Sequence, residues 1–237
     1  MSAPTARGTV ALVPLRDGVS GKSRLASALE PAERRRLVAA LARHVVATLL
    51  ASDGVGRVLV VTADVPFATE TLAGLEHGGR LETIPQPPDR PGLNAALDVG
   101  REHAVAREAD RLLVAHADLP LLAPDDVAAL LVTGAGATDG PATDEQAADD
   151  RAPVVVATDR HDAGTNLLLL PAAAPFRFRF GPGSRAAHVA EAERAGLRPV
   201  VVRRPGTAVD LDTVDDWGEL PRDVRDRLRD GVDLPLP

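Results

Sequence analysis

The chain is 237 residues long, with 45% hydrophobic and 26% charged residues, which suits one α/β domain with a sizeable buried core. A net charge of −7 argues against a nucleic-acid or membrane-surface protein, because such proteins carry a basic footprint. The absence of cysteine excludes disulfides, cysteine–zinc sites and cysteine nucleophiles.

The first segment, Thr9 to Pro14, is an unbroken apolar run and reads as a buried parallel strand. A polar, Gly-containing loop follows from Arg16 to Ser23. A helix is expected from about Pro31 to Leu50, with Leu37, Leu41, Val45 and Leu49 on one stripe. Arg57 to Thr62 reads as a second strand, Pro66 to Leu75 as a helix, and Leu81 to Ile84 as a short third strand. A Pro-rich loop, Pro85 to Pro91, leads to Gly92, Leu93 and Asn94, where a helix to about Glu108 begins. Leu112 to Ala115 is the fourth strand, ending at Asp118-Leu119-Pro120, and Pro124 to Val132 is a helix.

Thr133 to Arg151 is rich in Gly, Ala, Thr and Asp and reads as a surface insertion. Strands are expected at Val154 to Ala157 and Asn166 to Leu170. Phe176-Arg177-Phe178-Arg179-Phe180 alternates with period two, as a half-exposed strand would. A helix from Ser184 to about Ala195, a strand at Pro199 to Val202, a short helix near Trp217 and a charged helix from Arg222 to Asp230 complete the chain. This alternation predicts an α/β fold with a mostly parallel sheet and helices on both faces. Residues 1–237 form one domain on this reading. No apolar run approaches membrane-span length and the first residues lack a signal-peptide core, so a cytoplasmic location is expected.

Several motifs bear on chemistry. Gly18 to Ser23 suggests a P-loop, but Arg16 stands where that motif needs its first Gly. The loop still carries Arg16, Lys22 and Arg24 beyond a strand end, which is either a triphosphate clamp or a solvated basic turn. Lys22 is the sole lysine among 27 basic residues; either chance or the need for a compact ammonium accounts for it. Gly181-Pro182-Gly183-Ser184-Arg185-Ala186 fits G-x-G-x-x-A, but the flanking segments do not fit a dinucleotide fold. What survives is a helix start at which Ser184 is an N-cap or the N–H groups hold an anion. Asp118 follows one apolar strand directly, and Asp210 and Asp212 follow another. Brought together they would make a hard-oxygen Mg²⁺ site; otherwise they are turn or capping aspartates. The six His show no ligand-spaced cluster, and no nucleophile–base pair is evident.

In this order the pieces resemble the family of 2-phospho-L-lactate and phosphoenolpyruvate guanylyltransferases of coenzyme F420 biosynthesis. The matching stretches are VPLRDGVSGKSRL (13–25), GLNAAL (92–97), ADLPLL (117–122), GTNLLLL (164–170), FGPGS (180–184) and DLDTVDDW (210–217). KSRL and ADLP are shared with wider nucleotidyltransferases, such as the molybdenum-cofactor type; GTN with FGPGS is the more specific pairing. Arg16 stands where the family pattern has Lys, and His116 where it has a small residue or Pro.

The resemblance implies a glycosyltransferase-A-like nucleotidyltransferase domain that uses GTP, with Mg²⁺ as cofactor. Thr165, Gly181 and Ser184 would hold the acid's phosphate. Lys22 and Arg24 would contact the GTP phosphates and act in catalysis, and Gly92 and Asn94 would lie near the nucleoside. Asp118 and Asp212 would bind the metal, with Asp210 the weaker candidate. The Arg-rich, Lys-poor composition resembles that of members acting on phosphoenolpyruvate, so that acid is expected ahead of 2-phospho-L-lactate. A catalytically silent nucleotide-binding regulator is the rival from another class; it would not need the metal carboxylates. Neither nucleic acid nor membrane is an expected partner, and oligomeric state is left open.

Overall fold

A computed structural model describes residues 8–16, 25–26, 28–75, 78–135 and 150–229. Seven strands form one sheet: β1 (Thr9–Leu15), β2 (Val55–Thr62), β3 (Leu81–Pro85), β4 (Arg111–Ala115), β5 (Pro153–Thr158), β6 (Thr165–Pro171) and β7 (Arg198–Val202). Their spatial order is β3-β2-β1-β4-β6-β5-β7. All neighbours are parallel except β6, which runs antiparallel to both β4 and β5. β1 is the switch point of the fold. The chain leaves it on one side to build β2 and β3, then returns to its other side as β4. In open α/β sheets, the C-terminal ends of the two strands at such a reversal diverge and leave a crevice.

β1 has an apolar side chain on both faces at nearly every position because both faces are covered. Ala11, Val13 and Leu15 pack under α1 (Pro31–Ala51), α2 (Val65–Leu72) and α4 (Pro124–Gly134). Val10 and Leu12 pack under α3 (Leu93–Ala106) and α5 (Ser184–Arg194). The stripe Leu37, Leu41, Val45 and Leu49 of α1 is fully buried, as its spacing predicts. Pro31 opens α1, and the Glu30 N–H donates to the Glu33 carboxylate at 2.7 Å, which serves an amide that the helix itself leaves unsatisfied. The layered α/β fold, its mostly parallel sheet and its helices on both faces agree with the sequence reading.

A third apolar cluster anchors the last described segment. Leu211 and Trp217 are fully buried against Leu25, Leu37 and Leu41. Around them lie the short helices α7 (Val214–Glu219) and α8 (Arg222–Arg229), while α6 (Pro205–Ala208) packs on α4, β5 and β6. Residues on both sides of Leu211 are thereby tied to α1 and to the chain that follows β1.

Two sequence expectations need correction. The stretch 176–180 is extended, with Phe176, Phe178 and Phe180 buried and the two arginines exposed, but it joins no sheet. Side chains replace the missing neighbour strand. The N–H of Arg177 donates to Glu191 Oε1 (2.9 Å), that of Arg179 to His188 Nε2 (3.0 Å), and that of Phe180 to Asn94 Oδ1 (2.9 Å). Thr133 and Gly134 belong to α4 rather than to an insertion. A Cβ at Gly134 would lie 2.4 Å from Leu169 Cδ2, so a larger residue there would force Leu169 to shift. Residues 136–149 lie outside the described residues. No described helix is long and apolar enough to cross a membrane.

Candidate nucleotide and phosphate site

The crevice at the β1/β4 switch point is the candidate site. One wall is the end of β1 with Pro14, Leu15 and Arg16, and another is His116, Ala117 and Asp118 beyond β4. Gln86, Gly92 and Leu93, between β3 and α3, form the far side, and Asp212 closes it. Arg16, Asp118, Gly92 and Asp212, singled out from sequence, therefore meet in one cleft, although they lie nearly 200 residues apart at the extremes. Lys22 and Arg24 lie outside the described residues.

Two connections hold the carboxylates in place. The Leu211 N–H donates to the Asp118 carbonyl at 3.1 Å, joining the β4 exit to the segment bearing Asp212. Asp216 then fixes that segment. Its Oδ2 accepts from the N–H of Asp212 (2.9 Å), the N–H of Thr213 (2.7 Å) and the Thr213 hydroxyl (2.9 Å). Its Oδ1 takes a hydrogen bond from Arg160. Burial works to raise the Asp216 pKa, but the bonds from Thr213, Asp212 and Arg160 outweigh it and hold the carboxyl below its usual value.

Asp210 and Asp212 flank the buried Leu211. The i, i+2 rule puts both aspartates on one side only in a regular strand, and residues 210–212 have no strand pairing. Asp212 lines the cleft, whereas the charge of Asp210 acts on Arg160. Among the described residues no three His, Asp or Glu side chains are grouped to hold a metal. The pair Asp118 and Asp212 is nevertheless a donor set that suits Mg²⁺, which takes one or two carboxylates and fills its other positions with water or phosphate oxygen.

Next to the cleft lies a second cluster built by α5 and the start of β6. Gly183 is the N-cap of α5 with φ +71, and Ser184 is the first helical residue. The cap position is thus taken by Gly183, and Ser184 is buried in the first turn of the helix. Gly181, at φ +142, and Gly183 face open space where a Cβ would sit, so a ligand can approach the backbone closely. Two of the helix-start amides are already engaged: Ser184 N–H with the Gly181 carbonyl, and Arg185 N–H with the Ala163 carbonyl, both at 3.1 Å. The second of these bonds draws α5 against Thr165. Four residues after Ser184, on the same helix face, His188 places Nδ1 3.0 Å from Thr165 Oγ1. These bonds bring the start of β6, with Thr165, against the helix start that carries Gly181 and Ser184.

Asn94 stands between the two clusters. Its Nδ2 donates to the Phe180 carbonyl (3.0 Å) while its Oδ1 accepts the Phe180 N–H (2.9 Å). Both ends of its amide are engaged by the backbone immediately before Gly181. Phe180 in turn meets the tilted ring of His116 at 5.1 Å and the ring of His188 edge-on at 4.5 Å between centroids. His116, Phe180 and His188 therefore form a continuous aromatic wall from the cleft to Thr165.

Sequence reasoning missed two residues of this framework, His188 and Asp216, and the pairing of Asn94 with Phe180. His188 carried a signal in its helical spacing from Ser184. Asp216 carried one as the acidic residue three after Thr213, a capping pattern. The bracket that Asn94 makes on Phe180 spans 86 residues and left no local trace.

Comparison with known proteins follows the same lines. A phosphoenolpyruvate guanylyltransferase from Rubrobacter xylanophilus is 39% identical over 210 residues, covering 89% of this chain and 92% of that protein. Another from Sphaerobacter thermophilus is 37% identical over 212 residues, covering 90% and 92%. A 3-phospho-D-glycerate guanylyltransferase from Phenylobacterium zucineum is 35% identical over 216 residues, covering 90% and 89%. In fold the chain is similar to a candidate nucleotide-diphospho-sugar transferase from Desulfovibrio desulfuricans G20, with a TM-score of 0.67, 16% identity and 96% of each chain covered. Residues 9–224 match the family described as "Guanylyl transferase CofC like", which spans both clusters and the whole sheet. The chain belongs to this guanylyltransferase family.

Proposed function

We propose that this protein transfers GMP from GTP to the phosphate of a small phosphorylated three-carbon acid, releasing pyrophosphate, in the biosynthesis of coenzyme F420. The observation that carries this reading is the adjacency of two unlike sites. One is a cleft with Arg16 and two carboxylates; the other is a turn of open glycines with buried hydroxyls; Asn94 and Phe180 join them.

A phosphate oxygen of the acid is the nucleophile and attacks the α-phosphorus of GTP. The new P–O bond forms as the bond to the bridging oxygen of the β-phosphate breaks, and pyrophosphate leaves with that oxygen. The nucleophile is anionic near neutral pH, so no general base is required. The obstacle is repulsion between two polyanions, and the chain's contribution is to place them and to offset their charge. Arg16, Lys22 and Arg24 supply the cations for the triphosphate. Thr165, the Gly181 turn and Ser184 hold the acid's phosphate in line. Asp118 and Asp212 would hold Mg²⁺, which when bound supplies charge neutralisation at the reacting phosphates.

Phosphoenolpyruvate is the first choice of acid, supported by the two relatives of that name and by the Lys-poor composition. The relative named for 3-phospho-D-glycerate adds a third acid to be tested beside 2-phospho-L-lactate. Competition among the three acids at equal concentration with GTP, read by mass spectrometry of the products, should give mainly the guanylylated phosphoenolpyruvate. A dominant product from another acid overturns the substrate assignment and leaves guanylyl transfer standing. No guanylylated product from any of them overturns the reading and favours the silent regulator.

A further inference from the structure

His188 has no role in the chemistry above, yet both of its ring nitrogens are hydrogen-bonded in a fully buried position. The backbone N–H of Arg179 lies 3.0 Å from Nε2. A peptide N–H can only donate, so Nε2 must present its lone pair. The proton of the neutral ring is then on Nδ1, and Nδ1 is 3.0 Å from Thr165 Oγ1. Thr165 is therefore the acceptor in that bond. A hydroxyl has one hydrogen, and with His188 donating to its oxygen that hydrogen is left to serve another acceptor.

The surroundings keep the ring in this state. Burial, with the nearby His116, lowers its pKa to about 4, so it is neutral near pH 7. Phe180 meets it edge-on at 4.5 Å between centroids, and Phe176 lies at 5.8 Å. Protonation would turn Nε2 into a second donor facing the Arg179 N–H and break the arrangement.

We propose that His188 is a positioning residue: it locks the Thr165 hydroxyl as an acceptor toward the ring so that its hydrogen is presented to the phosphate of the acid substrate. An anionic phosphate has only acceptor oxygens, so a hydroxyl free to turn its lone pair outward would repel it. His188 removes that alternative before the acid binds. The proposal rests on the reading that Thr165 contacts the acid.

Two measurements on the full chain test it. Nitrogen-15 NMR of the His188 ring should find Nδ1 protonated and Nε2 bare; a ring protonated on Nε2 overturns the proposal. In steady-state kinetics, His188→Gln keeps an acceptor for the Arg179 N–H but loses the donor to Thr165. It should raise KM for phosphoenolpyruvate about five- to tenfold, the loss expected for one hydrogen bond, and leave KM for GTP within about twofold. His188→Asn, whose amide can replace the Nδ1 donor, should recover most of that loss. An unchanged acid KM in His188→Gln, alongside a raised one in Thr165→Val, overturns the role of His188 and spares that of Thr165. A normal acid KM in Thr165→Val overturns both. Equal losses for GTP and acid would make His188 a packing residue and also refute the proposal.

Discussion

Replacing Asn94 with alanine removes both hydrogen bonds that tie α3 to the backbone ahead of Gly181, and leaves the Phe180 N–H and carbonyl to find other partners. Each bond contributes about 1 kcal/mol net, and a partly buried group left unpaired costs about 1–3 kcal/mol. Alanine returns about 0.5 kcal/mol through its higher helix propensity at the start of α3. The expected loss of stability is about 2–4 kcal/mol. For a chain of this size that lowers the thermal midpoint by roughly 4–16 °C. Function should change in a particular direction. The bracket holds the Gly181 turn, so KM for the acid should rise several-fold while KM for GTP stays close to that of the native enzyme. Calorimetry and two-substrate kinetics on the same preparation read both effects. A midpoint shift under 2 °C would show that the two bonds do not hold the loop. A loss confined to GTP would return Asn94 to a nucleoside-binding role.

Three further outcomes follow from the geometry. Asp118→Asn and Asp212→Asn should each remove most turnover at limiting Mg²⁺ with unchanged circular dichroism, since each loses an anionic oxygen donor from the cleft; native-like activity in either variant excludes that residue as a ligand. Lys22→Ala should raise KM for GTP more than for the acid, and Lys22→Arg should not fully restore it, because a guanidinium is broader than an ammonium; unchanged GTP kinetics in both would leave Lys22 a solvated residue. Stability should fall on acidification in two stages. His188, lowered by burial from 6.5 to about 4, stays neutral in the folded state while the unfolded chain takes up a proton, so its contribution is complete above about pH 6.5 and is lost as pH falls toward 4. Glu191, lowered from 4.5 to about 2 chiefly by its hydrogen bond with Arg194, contributes fully above about pH 4.5 and is lost as pH falls toward 2. Denaturant titrations should show the upper stage shrink in His188→Gln to the part due to His44, whose pKa burial also lowers; a flat profile between pH 6.5 and 4 in the native protein refutes it.

Much of the cleft was legible because its residues sit where pattern changes abruptly. Arg16 and Asp118 each follow an apolar run, and a strand buried on both faces announces itself as such a run. The strand order, and with it the switch point, follows from the alternation of strands and helices only as a class; the antiparallel β6 left no sign, since an apolar run has no direction. The alternation at Phe176 to Phe180 correctly gave the buried and exposed faces but not the absence of a strand partner, because Asn94, His188 and Glu191 supply that partner from separate elements. Spacing by itself does not orient Asp210 and Asp212, for a related reason. The segment has no strand pairing; it is held by the bonds of Asp212 and Thr213 to Asp216 and by burial of Leu211. Ser184 was open between capping and ligand binding in the sequence; the left-handed Gly183 takes the cap position in the structure. Local periodicity reports which face is buried, whereas the polar groups that shape a site are paired across the fold.

The central claim is that the two clusters bring GTP and a phosphorylated acid together for guanylyl transfer. Pyrophosphate release from GTP, measured with the purified chain with and without Mg²⁺ and with and without phosphoenolpyruvate, tests it most directly. The account predicts release only when metal and acid are both present, in step with the appearance of the guanylylated acid. Release that is independent of the acid, or none with any phosphorylated three-carbon acid, would contradict it.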